Sequence, residues 1–373
     1  MSLNRSLISP TSNPLLERAL IDKLQRRCET AGSLGELEPV AVRLGLMQNT
    51  LRPRFREPQL VMFAADHGIA VDGIQGPQHH LQTHEQVHQL LTGRVPVSVF
   101  ARTQGLELTV VDCGVANALA PHEHLMARKI AHGTRNTRVG PAMALEQAHA
   151  AIRAGMEIGD SLRGNMLACA GVGVGSHEAA ALVISRLTEA PLRDLIVSHP
   201  HMDANELNRM MTLLQAAHTR HREVIDPVEV LAAFGGFETA VMVGVMLVAA
   251  SKRHLIMVDG MAACAALMVA SQIAAAVTDY CVFCRSQAHL GLDHALSLFH
   301  ASALLELGLD SIDGTGACVS WPLVRSAAAL LSEVPDGEDP GPSQPQGMGD
   351  TGHGALPPSS RSVRQHLDVD SDY

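Results

Sequence analysis

The chain has 373 residues, 46% of them hydrophobic and 18% charged, which is enough for a large buried core and two or three folding units of roughly 150 residues each. A net charge of −10 leaves no basic field for a phosphate backbone, and 3% aromatic residues offer no platform for stacked bases, so nucleic acid is excluded as a partner. Seven cysteines, an odd number scattered from Cys28 to Cys318, form no disulfide framework, and the first residues lack the uninterrupted apolar core of a signal peptide; the expected compartment is the cytoplasm.

Residues 9–56 read as helical, with Leu37, Val40, Leu44 and Met47 at helical spacing. Gln59–Gly68 then runs apolar into a polar cluster and a glycine, the pattern of a buried parallel strand. The pattern returns at Leu106–Ala116, Asn165–Gly175 and Arg253–Gly260, with Asp279–Arg285 as a shorter candidate. Ala144–Leu162 and His177–Leu187 are expected helices between them. Strand, polar tip, helix, strand is the alternation of a parallel α/β sheet flanked by helices. Ligands in such sheets sit outside the carboxyl ends of the strands, so Asp66, His67, Asp112, Gly173–Ser176 and Asp259 are expected on one rim. The apolar stretch from Phe234 to Val277 is interrupted by Glu238, Lys252, Arg253 and Asp259, which points to buried helix and strand rather than a membrane span. From Pro335 onward, proline, glycine, serine and aspartate dominate, and a disordered tail is expected.

Four motifs bear on chemistry. Gly171–Ser176 (GVGVGS) lies between an expected strand and helix, where glycines bring backbone amides close to an anion. A full dinucleotide fingerprint needs glycine at position 176, and its acidic partner would be Glu189 at best, so a single phosphate fits better; the plain alternative is a tight turn with Ser176 as N-cap. Glu178 would repel the phosphate, and a protonated His177 would offset it. His84–His88 (HEQVH) matches H-E-x-x-H, which on a helix sets His84 and His88 on one face for zinc, with His80 a turn earlier; a histidine-rich helix start is the plainer reading. Cys281 and Cys284 form a C-x-x-C in an apolar strand-like run, where alternation separates them, so a structural role is expected. Ile312–Leu323 is rich in turn residues, with Gly314, Thr315 and Gly316 beside the Asp313 carboxylate, either a plain loop before a helix or a catalytic acid beside close-approach glycines.

Taken in order, GSLGELE (32–38), FAADHGIAVDGI (63–74), VVDCGVA (110–116), GTRNTRVGPAM (133–143), GGFETA (235–240), MVDG (257–260), DY (279–280) and DGTGA (313–317) resemble the nicotinate-nucleotide–dimethylbenzimidazole phosphoribosyltransferase family from about Ser9 to Val334. The resemblance implies a large α/β domain and a smaller helical one, with residues 1–56 as the N-terminal helical segment of the smaller domain and 57–334 as the α/β domain; 335–373 is the disordered tail expected from composition. It implies a homodimer with its site near the interface, small-molecule substrates (nicotinate mononucleotide and a benzimidazole base), and no cofactor or metal. The implied reaction moves phosphoribose from nicotinate mononucleotide to 5,6-dimethylbenzimidazole, giving α-ribazole phosphate and nicotinate. The donor's pyridine nitrogen is already cationic and leaves neutral, so no acid is needed. The attacking base must lose the proton on its other nitrogen, and one carboxylate suffices as general base.

The family's base is a glutamate in G-E-G-[TS]-G-A, and Asp313 stands in its place, one methylene or roughly 1.5 Å shorter. The family's phosphate loop G-E-M-G-I-G-N-T-T corresponds to Ala170–Glu178, where Gly171 replaces its glutamate and Ser176, His177 and Glu178 replace Asn-Thr-Thr. The base-pocket segment S-P-Y-P-Q-x-V-T becomes Gln75–Thr83 with one insertion, and S-x-E-P-G-H becomes Ser286–His294. The expected roles are Asp313 as base, Gly173, Gly175 and Ser176 as phosphate cradle, Gly314, Thr315 and Gly316 against the ribosyl group, and Gln78 and Glu85 in the acceptor pocket. Two alternatives stand beside this reading: a diverged homologue that binds a nucleotide or base with little turnover, and a zinc enzyme using His84 and His88.

Overall fold

A computed structural model describes residues 8–74, 81–196 and 203–334. Two helices come first, α1 (Pro14–Ala31) and α2 (Leu37–Gln48), and α2 buries Leu44 and Met47 as their spacing predicts. Strand β1 (Gln59–Ala65) leads through α3 (Thr83–Leu91) and α4 (Pro96–Gln104) to β2 (Glu107–Gly114) and the three-residue β3 (Leu125–Ala127). Helix α5 (Leu145–Ser161) returns the chain to β4 (Met166–Val172). Helices α6 (Ser176–Thr188), α7 (Leu192–Leu195), α8 (Ala204–Arg220), α9 (Pro227–Phe234) and α10 (Phe237–Ser251) precede β5 (Leu255–Asp259). Helix α11 (Met261–Ile273), β6 (Cys281–Cys284), α12 (Leu290–Leu298) and α13 (Thr315–Ser332) complete the described chain.

The six strands are parallel, in the order β3-β2-β1-β4-β5-β6. The five apolar runs read from the sequence are five of these strands. β3 escapes because three residues are too few to show a period. Every residue of β1, β4, β5 and β6 is buried, as expected of strands covered on both faces. Helices α10 and α11 are buried nearly all round, which accounts for the apolar stretch from Phe234 to Val277; among the described residues no helix is long and apolar enough to cross a membrane. A Cβ on Gly155 would overlap the Val241 carbonyl, and one on Gly244 would overlap that of Ile152, so α5 and α10 meet backbone to backbone.

Several of the resembling motifs turn out to be partners. Arg138 of GTRNTRVGPAM donates to Asp72 of FAADHGIAVDGI twice, from Nε at 2.8 Å and Nη2 at 3.0 Å, and Asn136 donates to the same carboxylate. The DY pair ties down the N-terminal segment: Asp279 accepts from the Thr11 amide, and the Tyr280 hydroxyl donates to the Ser9 carbonyl. Helices α1 and α2 pack on α13. The expected tail, 335–373, lies outside the described residues.

Candidate active site at the sheet switch point

The chain leaves β1 outward in one direction and resumes at β4 in the other, so a crevice opens at the carboxyl ends of these two strands. Asp66 and His67 emerge from β1, the glycine loop from β4, and Asp259 ends β5. The rim expected from the sequence is the rim observed. The first turn of α6 projects Ser176 and His177 into two separate acidic clusters.

The first cluster is buried. His67 Nε2 lies 3.0 Å from Glu238 Oε1, with both side chains all but inaccessible. Glu238 Oε1 also accepts from Ser176 Oγ at 3.2 Å and Thr239 Oγ1 at 3.0 Å. Burial, the largest single influence, would lower His67, but the charge and hydrogen bond of Glu238 together with the Asp66 and Glu178 charges outweigh it, and the imidazole titrates above its ordinary value. Burial alone would raise Glu238, and His67 holds it below the ordinary glutamate value instead. A Cβ on Gly236 would overlap Glu238 and His67, so this glycine makes room for the pair. The sequence places His67 on the rim but pairs neither residue with the other. The available signal is Glu238 itself, a lone acid in an apolar run that must find a cation to be buried.

The second cluster surrounds Asp313. Its Oδ2 lies 3.2 Å from His177 Nε2, and its side chain is 3% exposed against 25% for His177. Burial alone would lower His177, and the hydrogen bond and charge of Asp313 raise it. Asp259 Oδ2 accepts from Ser286 Oγ at 2.7 Å and from the amides of Gly314 at 3.0 Å and Ala317 at 2.8 Å. Burial and the neighbouring Asp313 carboxylate nonetheless push the Asp259 carboxyl up. Gly260 has φ 91°, and a Cβ there would overlap the Asp313 carboxylate. Gly260→Ala is therefore expected to displace Asp313 and lower turnover by about 10²-fold. Steady-state assay of a variant with an unaltered circular dichroism melt checks this, and wild-type turnover would show that the carboxylate tolerates the shift.

The glycine loop departs from its expected details. Gly175, with φ 88°, is the N-cap of α6 and Ser176 is the first helical residue. Ser176 is 2% exposed and turns its hydroxyl inward to Glu238, so it is not available as a side-chain phosphate donor. The Val174 amide donates to Thr83 Oγ1, whose hydroxyl in turn donates to Asp66. The amides of His177 and Glu178 make no hydrogen bond among the described residues, as expected of a first helical turn. Oε2 of Glu178 is buried with no hydrogen-bond partner among the described residues. Glu189 caps the far end of α6, which leaves the dinucleotide reading without its acidic partner.

The segment expected to be a loop at 312–323 becomes helical at Thr315, despite Pro322 inside α13. Gly314, Thr315 and Gly316 do not face outward. The Gly314 amide is held by Asp259, the Gly316 amide by Ser286 Oγ, and the Thr315 hydroxyl by the Ile312 carbonyl. A Cβ on Gly316 would overlap the Arg285 backbone, so this glycine is used for close packing at the helix start. The Glu85 carboxylate accepts from the Gln82 amide at 2.8 Å, closing the N-terminus of α3. Gln78 lies outside the described residues. His84 and His88 sit on α3, with His80 also outside the described residues, and no group of three histidines, cysteines or acids is placed to hold a metal among those described. Cys281 and Cys284 are buried in β6, and burial pushes the Cys281 thiol up to about 12.

A parallel sheet with acidic and imidazole groups gathered at its switch point, beside a helix N-terminus with free amides, defines an α/β enzyme with its site at the carboxyl edge. The chain belongs to the phosphoribosyltransferase family: the family profile described as "Phosphoribosyltransferase" matches residues 9–341. It is 40% identical over 324 residues to a nicotinate-nucleotide–dimethylbenzimidazole phosphoribosyltransferase of Cupriavidus taiwanensis, across 86% of this chain and 92% of that one. A protein of the same description from Dechloromonas aromatica is 38% identical over 334 residues, across 88% and 96%. The crystal structure of the Thermus thermophilus enzyme of that description superposes with a TM-score of 0.78 at 29% identity, covering 86% of this chain and 96% of that one.

Proposed function

We propose that this protein transfers phosphoribose from nicotinate mononucleotide to 5,6-dimethylbenzimidazole or a related base, yielding α-ribazole phosphate and nicotinate for the lower ligand of cobalamin. The observation that carries the reading is the end-to-end similarity to relatives of that description, joined to an acid at the position of the family's base. Asp313 belongs to the proton-accepting side of the reaction. The donor phosphate takes the N-terminus of α6, where the His177 and Glu178 amides remain free; Gly173 and Gly175 shape that turn by packing closely on Ala65 and His67. The His67 imidazole, raised by its acidic neighbours, lies on the same rim and offsets the Glu178 carboxylate there. The sugar's C1′ then faces Asp313, and catalysis is mainly the holding of two reactants in line, which contributes several kcal/mol.

In the same reading the protein is a cytoplasmic homodimer. The test is incubation of purified protein with nicotinate mononucleotide and a panel of benzimidazoles. Nicotinate release that depends on the added base is expected. No release above background with any base would overturn the transferase and leave a protein that only binds.

A further inference from the structure

We propose that His177, held by Asp313, is the group that takes the proton from the incoming base. The inference rests on the transferase reading and deepens it. Asp313 is 3% exposed, pressed against the Cα of Gly260, and shorter than the glutamate it replaces. A carboxylate so placed is poorly able to reach a substrate nitrogen. Its Oδ2 is instead within 3.2 Å of His177 Nε2, and the imidazole extends the acid toward the crevice. His177 is 25% exposed and its Nδ1 makes no hydrogen bond among the described residues.

The arrangement dictates the tautomer. Nε2–H donates to Asp313, which leaves the Nδ1 lone pair outward as a base. The acceptor's pyridine-type nitrogen forms its bond to C1′ as the bond from C1′ to the pyridinium nitrogen breaks. That electron pair returns to the departing ring as nicotinate. The other acceptor nitrogen now carries a surplus proton. Its N–H bond breaks, the pair stays on the benzimidazole ring, and the proton passes to Nδ1 and then to solvent. The resulting imidazolium is stabilised by Asp313, as a carboxylate stabilises imidazolium in other acid–base pairs. Asp313 thereby becomes a positioning residue. The charged and titratable groups facing His177 are Asp313 from the start of α13, Glu178 from its own helix, and His289, whose ring lies 6.3 Å away.

The test combines kinetics with a titration that needs no turnover. His177→Gln should lower kcat by about 10²-fold or more, with little change in KM for nicotinate mononucleotide and loss of the acidic limb of the pH profile. Added imidazole should restore part of the rate to His177→Ala. In nuclear magnetic resonance, His177 should titrate above 6.5 in the wild type and fall when Asp313 becomes Asn. A His177→Gln enzyme with wild-type kcat, or one whose loss lies wholly in donor KM, would overturn the proposal and make His177 a phosphate ligand. A lost rate that imidazole does not restore, with the acidic limb intact, would overturn it as well. An Asp313→Asn variant with unchanged His177 titration would overturn the pair whether or not the enzyme turns over. A wild type that releases no nicotinate with any base overturns the transferase reading itself, a separate result.

Discussion

Asp313→Asn is expected to lower turnover by about 10²–10⁴-fold while nicotinate mononucleotide binds nearly as before. The substitution keeps the shape that packs against Gly260 and leaves Asp259 with its three donors. What it removes is the charge that holds the His177 proton on Nε2 and stabilises the imidazolium. An amide can also donate to Nε2, which turns the wrong tautomer outward. The donor phosphate, placed at the start of α6, does not depend on that charge. Calorimetric donor binding alongside kcat separates the two effects, and unchanged turnover removes Asp313 from the mechanism.

Glu238→Ala is expected to be the most damaging substitution for stability, at about 3–5 kcal/mol. It strands His67 in the interior without its counter-charge and leaves the Ser176 and Thr239 hydroxyls without their acceptor. The pair also fixes a pH window. Glu238 titrates below its ordinary value of 4.5, so its contribution is fully present above that value and is lost as the pH falls through the lowered one. His67 titrates above its ordinary 6.5, so its contribution is fully present below 6.5 and is lost as the pH rises through the raised value. The stability difference between wild type and Glu238→Gln should therefore be largest between about 4.5 and 6.5 and shrink on either side. Denaturant melts across pH measure it, and a difference independent of pH would show that the pair is not ionised.

These expectations depend differently on sequence and on fold. The strands are legible because a strand covered on both faces must be apolar throughout, and Gln59–Ala65 or Met166–Val172 can be little else. The rim follows, since polar residues that end such strands have one place to go. Asp313 is legible through the DGTGA resemblance. The glycines around it are ambiguous in sequence for a physical reason: glycine permits close approach to a ligand and to backbone alike, and only the tertiary structure reveals the Arg285 carbonyl beside Gly316. Glu85 is ambiguous in the same way, because a glutamate three residues into a helix caps it by geometry while its spacing also suits a zinc motif.

What the amino-acid order by itself determined is the α/β alternation, the carboxyl-edge rim and the family, because each rests on local period or on collinear motifs. What only the tertiary structure decided is which side chains meet. His67, just past β1, finds Glu238 in the first turn of α10, and His177, in the first turn of α6, finds Asp313 just before α13. In both cases the parallel crossovers, not any local pattern, deliver the two groups to one edge of the sheet.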